Sequence, residues 1–201
     1  MEGVNRVANT SLLLALLFCL LFFSSHLGSC SAAESTSTDF IKARCVVTRY
    51  PRLCIETLSF YAEKIEENPR RLAHTALSLT TTRAHSTSRL MSRLLDEQGL
   101  KAREVAVMRD CIENVGECFY ELRRALREMG HLNGSERRLR ISNIQTWVSA
   151  ALTYYDTCTD GFTEHGIEGA LRDRVWSRID GDVQLTSNAL ALFNSFANGA
   201  P

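Results

Sequence analysis

The feature that most constrains this chain is a ruler-like spacing of apolar residues. From Val105 they recur at Met108, Ile112, Val115, Phe119, Leu122, Leu126 and Met129, in steps of three and four. Such steps return to one face of a 3.6-residue helix and cannot lie on one face of a strand. The same pattern occurs in three more stretches. Leu77, Thr80, Ala84, Thr87, Met91 and Leu94 mark a helix that Asn68-Pro69 opens and that ends before Gly99. Ile141, Ile144, Val148, Ala151, Tyr155, Cys158 and Phe162 mark one over about 135–163. Leu171, Val175, Ile179, Val183, Thr186, Leu190, Phe193 and Ala197 mark one over about 168–197, with Gly181 as its weak point. Asn68 is suited to cap and Pro69 to fill the first helical position. Four amphipathic helices with short polar connections predict an all-α fold, an antiparallel four-helix bundle over 68–201. Pro51 interrupts the segment before it, so 39–67 reads as short helices joined by a turn, a helical hairpin.

The start of the chain has a different character. Arg6 precedes an apolar run from Leu12 to Phe23, and small residues follow at 29–33. This is the order of a secretory signal peptide, removed after Ala32 or Ala33. Twelve apolar residues fall short of the roughly 20 needed to span a bilayer. The chain from Glu34 is then one secreted domain, with no retention signal or lipid-anchor tail expected. The balance of 23 basic and 23 acidic residues stays at zero when Glu2 and Arg6 leave with the signal. Neutral charge argues against nucleic acid or a membrane surface as the partner.

In a secreted chain the cysteines are read first as disulfides. Cys45, Cys54, Cys111, Cys118 and Cys158 remain after the signal, an odd number. Cys45 and Cys54 flank the Pro51 turn and form the natural local pair. Cys111 and Cys118 stand seven apart on one helix, a rise of ~10.5 Å. A disulfide needs Cα atoms within ~7 Å, so these two cannot pair, nor can they chelate one zinc ion. Cys158 therefore takes Cys111 or Cys118. Both lie about 60–80° from the centre of the apolar seam, and geometry does not choose between them. On the same wheel Glu113, Glu117 and Glu121 fall on the outer face, as solvated surface or as contact surface.

Signs of catalysis are lacking. There is no G-x-S-x-G, H-E-x-x-H or Gly-rich phosphate loop. The E-x-x-H from Glu128 to His131 straddles Gly130 at a helix end and has no second copy, whereas di-metal bundles need two. His74, His85 and His165 have no partner at ligand spacing. The chain is expected not to be an enzyme and to hold no cofactor or metal. Asn133-Gly134-Ser135 is a glycosylation sequon in a loop.

In "CVVTRYPRLC", "DCIEN", "QTWVSAALTYYDTCTDGF" and "QLTSNALALFN" the chain resembles the plant invertase and pectin methylesterase inhibitor family, in order and over essentially all of the chain after the signal. The resemblance implies a four-helix bundle preceded by a helical hairpin, with disulfides Cys45–Cys54 and Cys111–Cys158. It leaves Cys118 as a free, inert thiol where the family has a small residue. It implies a secreted apoplastic inhibitor that binds a pectin methylesterase one-to-one, as a monomer, and covers its substrate cleft. Acid invertase is the alternative target, and an orphan secreted bundle without inhibitory activity is a further alternative. "TSNALAL" and "TWVSAALT" look like the esterase-inhibitor group, and the Pro-Lys-Phe element of invertase inhibitors is absent. The implied contact residues are Glu113, Glu117, Thr157 and Asp160. Glu117 replaces a common Asp, and Tyr120 stands where an acid is frequent.

Overall fold

The structure, a computed structural model, describes residues 36–97 and 99–199. The signal-peptide reading of residues 1–33 lies outside them. A first helix, α1, occupies 36–45, and α2 (Pro51–Leu58) follows the Pro51 turn. A 3₁₀ turn (Ser59–Tyr61) and the short α3 (Ala62–Ile65) complete the N-terminal segment. Four long helices come next: α4 (Pro69–Leu95), α5 (Ala102–Gly130), α6 (Arg137–Glu164) and α7 (Ala170–Ala197). The described residues contain no strand, and none of their helices is long and apolar enough to cross a membrane.

Local chemistry sets these boundaries. The Asn68 side chain accepts hydrogen bonds from the backbone N–H of Arg70 (2.9 Å) and Arg71 (3.1 Å), with Pro69 at the first helical position. Two N–H groups otherwise left open by the first turn are thereby satisfied. The α4–α5 connection turns at Gly99 with φ +92°, a conformation that disfavours a side chain. With connections this short, each long helix runs antiparallel to the last, and α7 closes the ring against α4.

The core is continuous from the N-terminal segment through the bundle. Ile41, Cys45, Cys54, Leu58 and Ile65 join Leu77, Met91, Met108, Val115, Leu122, Ile144, Val148, Tyr155, Phe162, Ile179 and Phe193 in one buried cluster. The N-terminal segment is fastened to α7 by a reciprocal pair. The Tyr50 N–H donates to Asn188 Oδ1 (3.0 Å), and Asn188 Nδ2 donates to the Tyr50 carbonyl (2.9 Å).

On α5 the structure corrects the expected seam. Val105, Ile112, Phe119 and Leu126 are only half-buried, while Val107, Cys111, Cys118 and Ala125 are buried with Met108, Val115, Leu122 and Met129. The true centre of burial is rotated by roughly 60–80° toward the cysteines. The reason lies in the neighbours of α5. Ile112 and Phe119 flank the core on the side where Phe119 meets His85 of α4, ring centroids 5.0 Å apart. Cys111 and Cys118 point at α6, one through a disulfide and the other through a thiol that donates to the Ala151 carbonyl (3.2 Å). The rotation also overturns the outer-face placement of Glu121. It is 8% exposed and holds Arg124 through both carboxylate oxygens, at 3.0 and 3.3 Å.

The small and hydroxyl-bearing residues on the inner face of α4 meet a polar layer on α7. Thr80 and Thr186 share a hydrogen bond of 2.6 Å. Asp182, fully buried, accepts from Arg83 Nε (2.7 Å) and from the Thr87 hydroxyl, and Thr87 also accepts from Arg178 Nε (2.7 Å). A buried carboxylate persists only when its oxygens are paired in this way. Burial nevertheless holds the Asp182 carboxyl above the ordinary carboxylate range, against the opposing bonds from Thr87 and Arg83.

Candidate partner-binding face

The face in question is built on the α5–α6 pair. Cys111 of α5 is joined to Cys158 of α6, with Cα atoms 4.3 Å apart. Cys45 and Cys54 are joined across the Pro51 turn, with Cα atoms 5.7 Å apart. Cys118 is a free cysteine buried two turns along α5 from Cys111. Burial, with negative charge on Asp182, Glu117 and Asp156, pushes its thiol far up, so almost no thiolate forms at neutral pH.

Five contacts fix the register of the two helices. From one end to the other they are Val107 beside Gly161, Cys111–Cys158, Cys118 with Ala151, Arg124 over Trp147, and Glu128 with Arg140 and Asn143. Interpolating along the antiparallel pair sets Glu113 level with Thr157, Asp110 with Asp160, and Glu117 with Thr153. Glu113, Glu117, Thr157 and Asp160 are all exposed, as are Asp110 and Asp156. The disulfide thus underlies an acidic, solvent-facing surface carried on two rigid helices. The Thr157 hydroxyl donates to the Thr153 carbonyl (2.9 Å), which fixes its rotamer and leaves its lone pairs outward.

Next along the same pair is a group of which the sequence indicated only Tyr120. Arg124 stacks on Trp147 at 4.2 Å and on Tyr120 at 5.6 Å, with Glu121 holding its guanidinium from the buried side. Tyr120 is 52% exposed. Tyr, Trp and Arg are the residue types that most often anchor interfaces. The available signal was Tyr120 itself, one turn below Glu117 on α5; its pairing with Trp147 needs the helix register.

The E-x-x-H pair does not come together as a ligand set. Glu128 accepts from Arg140 and Asn143 (3.4 Å each), while His131 caps the end of α5 and is exposed. Among the described residues no group of three His, Cys, Asp or Glu side chains could hold a metal ion. Asn133 is exposed in the α5–α6 loop, where its Oδ1 accepts from Arg70 Nη1 (3.4 Å).

Comparisons with known proteins bear on this architecture. Residues 39–192 match the model of the family described as plant invertase/pectin methylesterase inhibitor. The chain is 41% identical over 181 residues to a 21 kDa protein of Daucus carota, covering 88% of this chain and 94% of that one. It is 38% identical over 197 residues to pectinesterase inhibitor 11 of Arabidopsis thaliana, covering 96% and 98%. With pectinesterase inhibitor 9 of the same plant it shares 40% over 198 residues, covering 96% of each chain. Its fold is similar to the crystal structure of a mutant form of a pectin methylesterase inhibitor from Arabidopsis. That superposition has a TM-score of 0.61 at 23% identity and covers 75% of this chain and 92% of the other. A chain matched over nearly all of its bundle, by sequence and by fold, belongs to the plant invertase/pectin methylesterase inhibitor family.

Proposed function

We propose that this protein is a secreted inhibitor that binds a pectin methylesterase one-to-one and covers its substrate cleft with the α5–α6 face. The observation that carries this reading is its 38–40% identity, over 96% of the chain, to proteins named pectinesterase inhibitors. The geometry supports it. Glu113, Glu117 and Asp160 present carboxylates, and Thr157 a hydroxyl oxygen, on helices that the Cys111–Cys158 bond holds together. Acceptors held in place before contact lose little freedom when they meet the polar rim of an enzyme cleft. The protein does no chemistry of its own in this account. It acts by exclusion, in the cell wall, after removal of residues 1–33.

The test is inhibition of a purified pectin methylesterase and of an acid invertase by one preparation, with a reduced sample as control. Saturating inhibition of the esterase at one equivalent, no effect on the invertase, and weaker action after reduction are expected. Inhibition of the invertase alone, or of neither enzyme from mildly acidic to neutral pH, would overturn the reading.

A further inference from the structure

Away from the α5–α6 face, a cleft of about 640 Å³ lies between α2 with its 3₁₀ turn, α4 and α7. Much of its wall is apolar, from Leu53, Phe60, Tyr61, Leu79 and Leu185. Phe60 is 89% exposed, so its ring lines this cleft without belonging to the core. Two guanidinium groups share the same lining, Arg83 of α4 and Arg178 of α7. Apolar walls with a few convergent polar groups are the usual make-up of a small-molecule site.

Both arginines are tied down through Nε alone. Arg83 Nε donates to Asp182 Oδ1 and Arg178 Nε to the Thr87 hydroxyl, each at 2.7 Å. That hydroxyl donates in turn to the second Asp182 oxygen, so both oxygens of the carboxylate are engaged. One fully buried carboxylate, 4.0 Å from Arg178, therefore stands against two guanidinium groups. Arg178 is held below its ordinary value by burial and by the charge of Arg83, against the opposing pull of Asp182. The Nη nitrogens of both arginines have no acceptor among the described residues, and none of them is shut away from solvent. A Cβ at Gly181 would stand 3.4 Å from Arg83 Nη2, so this guanidinium reaches across to the helix that carries Arg178. Open N–H groups on two neighbouring planar forks, with one positive charge in excess, are suited to a carboxylate.

The other lining residues narrow the ligand further. Glu56 of α2 belongs to the cleft as well, and its exposed carboxylate has only Arg52 nearby, at 3.6 Å. One negative charge on a ligand is drawn to the arginines, while a second would meet Glu56. Phe60 and Tyr61 offer aromatic rings, against which another ring packs by stacking or edge to face. We propose that this cleft binds an aromatic monocarboxylate, its carboxylate held by the Nη groups of Arg83 and Arg178 and its ring by Phe60, Tyr61, Leu79 and Leu185. A volume of about 640 Å³ admits such a molecule. The proposal does not rest on the inhibitor reading, because α2, α4 and α7 carry this site and α5 and α6 carry the other.

Titration with trans-cinnamate, cinnamamide and sodium acetate, followed through the leucine methyl resonances in solution, tests this. Cinnamate is expected to move the methyls of Leu53, Leu79 and Leu185 and to leave that of Leu139, on the exposed side of α6, in place. It should bind about tenfold or more tightly than cinnamamide, which has the ring without the charge, and than acetate, which has the charge without the ring. Arg83→Gln should abolish the preference for acid over amide. Because that change also loosens Asp182, two exposed positions of the cleft carry the test independently of folding. Phe60→Ser removes a ring from the wall, and Ser86→Glu sets a competing carboxylate one turn from Arg83; each should weaken cinnamate about fivefold or more. Equal binding of acid and amide, acetate binding as tightly as cinnamate, no binding, shifts confined to other methyls, or indifference to both surface variants would overturn the proposal.

Discussion

Removing the Cys111–Cys158 bond has a consequence that can be sized from the fold. The bond closes a loop with a sequence separation of 47 residues. In the chain-entropy treatment, freeing such a loop in the unfolded chain costs about 4 kcal/mol of stability. Cys45–Cys54 closes a separation of 9 residues, for which the same relation gives about 2.5 kcal/mol. Cys118→Ala removes one buried sulfur and its bond to the Ala151 carbonyl, worth about 1 kcal/mol. The order of damage should therefore be C111A/C158A, then C45A/C54A, then C118A. At roughly 2–4 °C per kcal/mol for a domain of this size, the first variant should melt about 8–16 °C lower. Urea unfolding followed by far-ultraviolet circular dichroism measures all three. The C111A/C158A variant should also show a steeper denaturant dependence, because its unfolded state is less restrained. If C118A costs as much as C111A/C158A, or if losing the long loop costs less than losing the short one, the reasoning from loop length fails.

Three further outcomes follow from the core. Asp182→Asn removes the buried charge and one of the two acceptor oxygens that Arg83 and Thr87 use, and should cost about 3 kcal/mol, the low end for a broken buried pair because Arg83 can swing to solvent. Because burial raises the folded Asp182 value, the folded state holds this proton more tightly than the unfolded chain. Its contribution is complete below the ordinary carboxylate range and is lost as pH rises through the folded value, so the stability gap to Asp182→Asn should widen from neutral pH to about pH 4. Asn188→Ala deletes both bonds to the Tyr50 backbone and should cost about 2 kcal/mol, with faster amide exchange at Tyr50 than at Ile144. Cys118 should ignore a thiol reagent in the folded protein and titrate as one thiol after denaturation without reductant.

The parts of this molecule that were legible in advance share a local origin. The helices follow from apolar spacing, and the inner stripes of α4 and α6 lie where Leu77 to Leu94 and Ile141 to Phe162 indicated, except that Ile141 is only half-buried. The start of α4 is encoded in two adjacent residues, Asn68 and Pro69. On α5 the largest apolar side chains mark an edge of the seam rather than its middle. Phe119 and Ile112 cover the α4 side, while small Cys118 and Ala125 occupy the crowded centre. Side-chain size therefore misjudged the direction, and Glu121 was carried outward with it. The polar layer of Thr80, Thr87, Asp182 and Thr186 was out of reach for another reason. Its partners are separated by 95 and 106 residues, and a threonine on an apolar stripe does not reveal what it faces. The exposed positions of Glu113 and Glu117 could be read from the wheel, but their level with Thr157 and Thr153 depends on the α5–α6 register.

The central claim is that the α5–α6 face occupies the esterase cleft, and the inhibition constant of a charge-reversed face tests it most directly. Glu113→Lys with Thr157→Lys leaves the core and both disulfides intact and should weaken inhibition of pectin methylesterase about 100-fold or more. Arg89→Glu with Arg93→Glu, on the exposed face of α4, should leave it within about twofold. Unchanged inhibition by the first pair, or an equal loss from the second, would contradict the account.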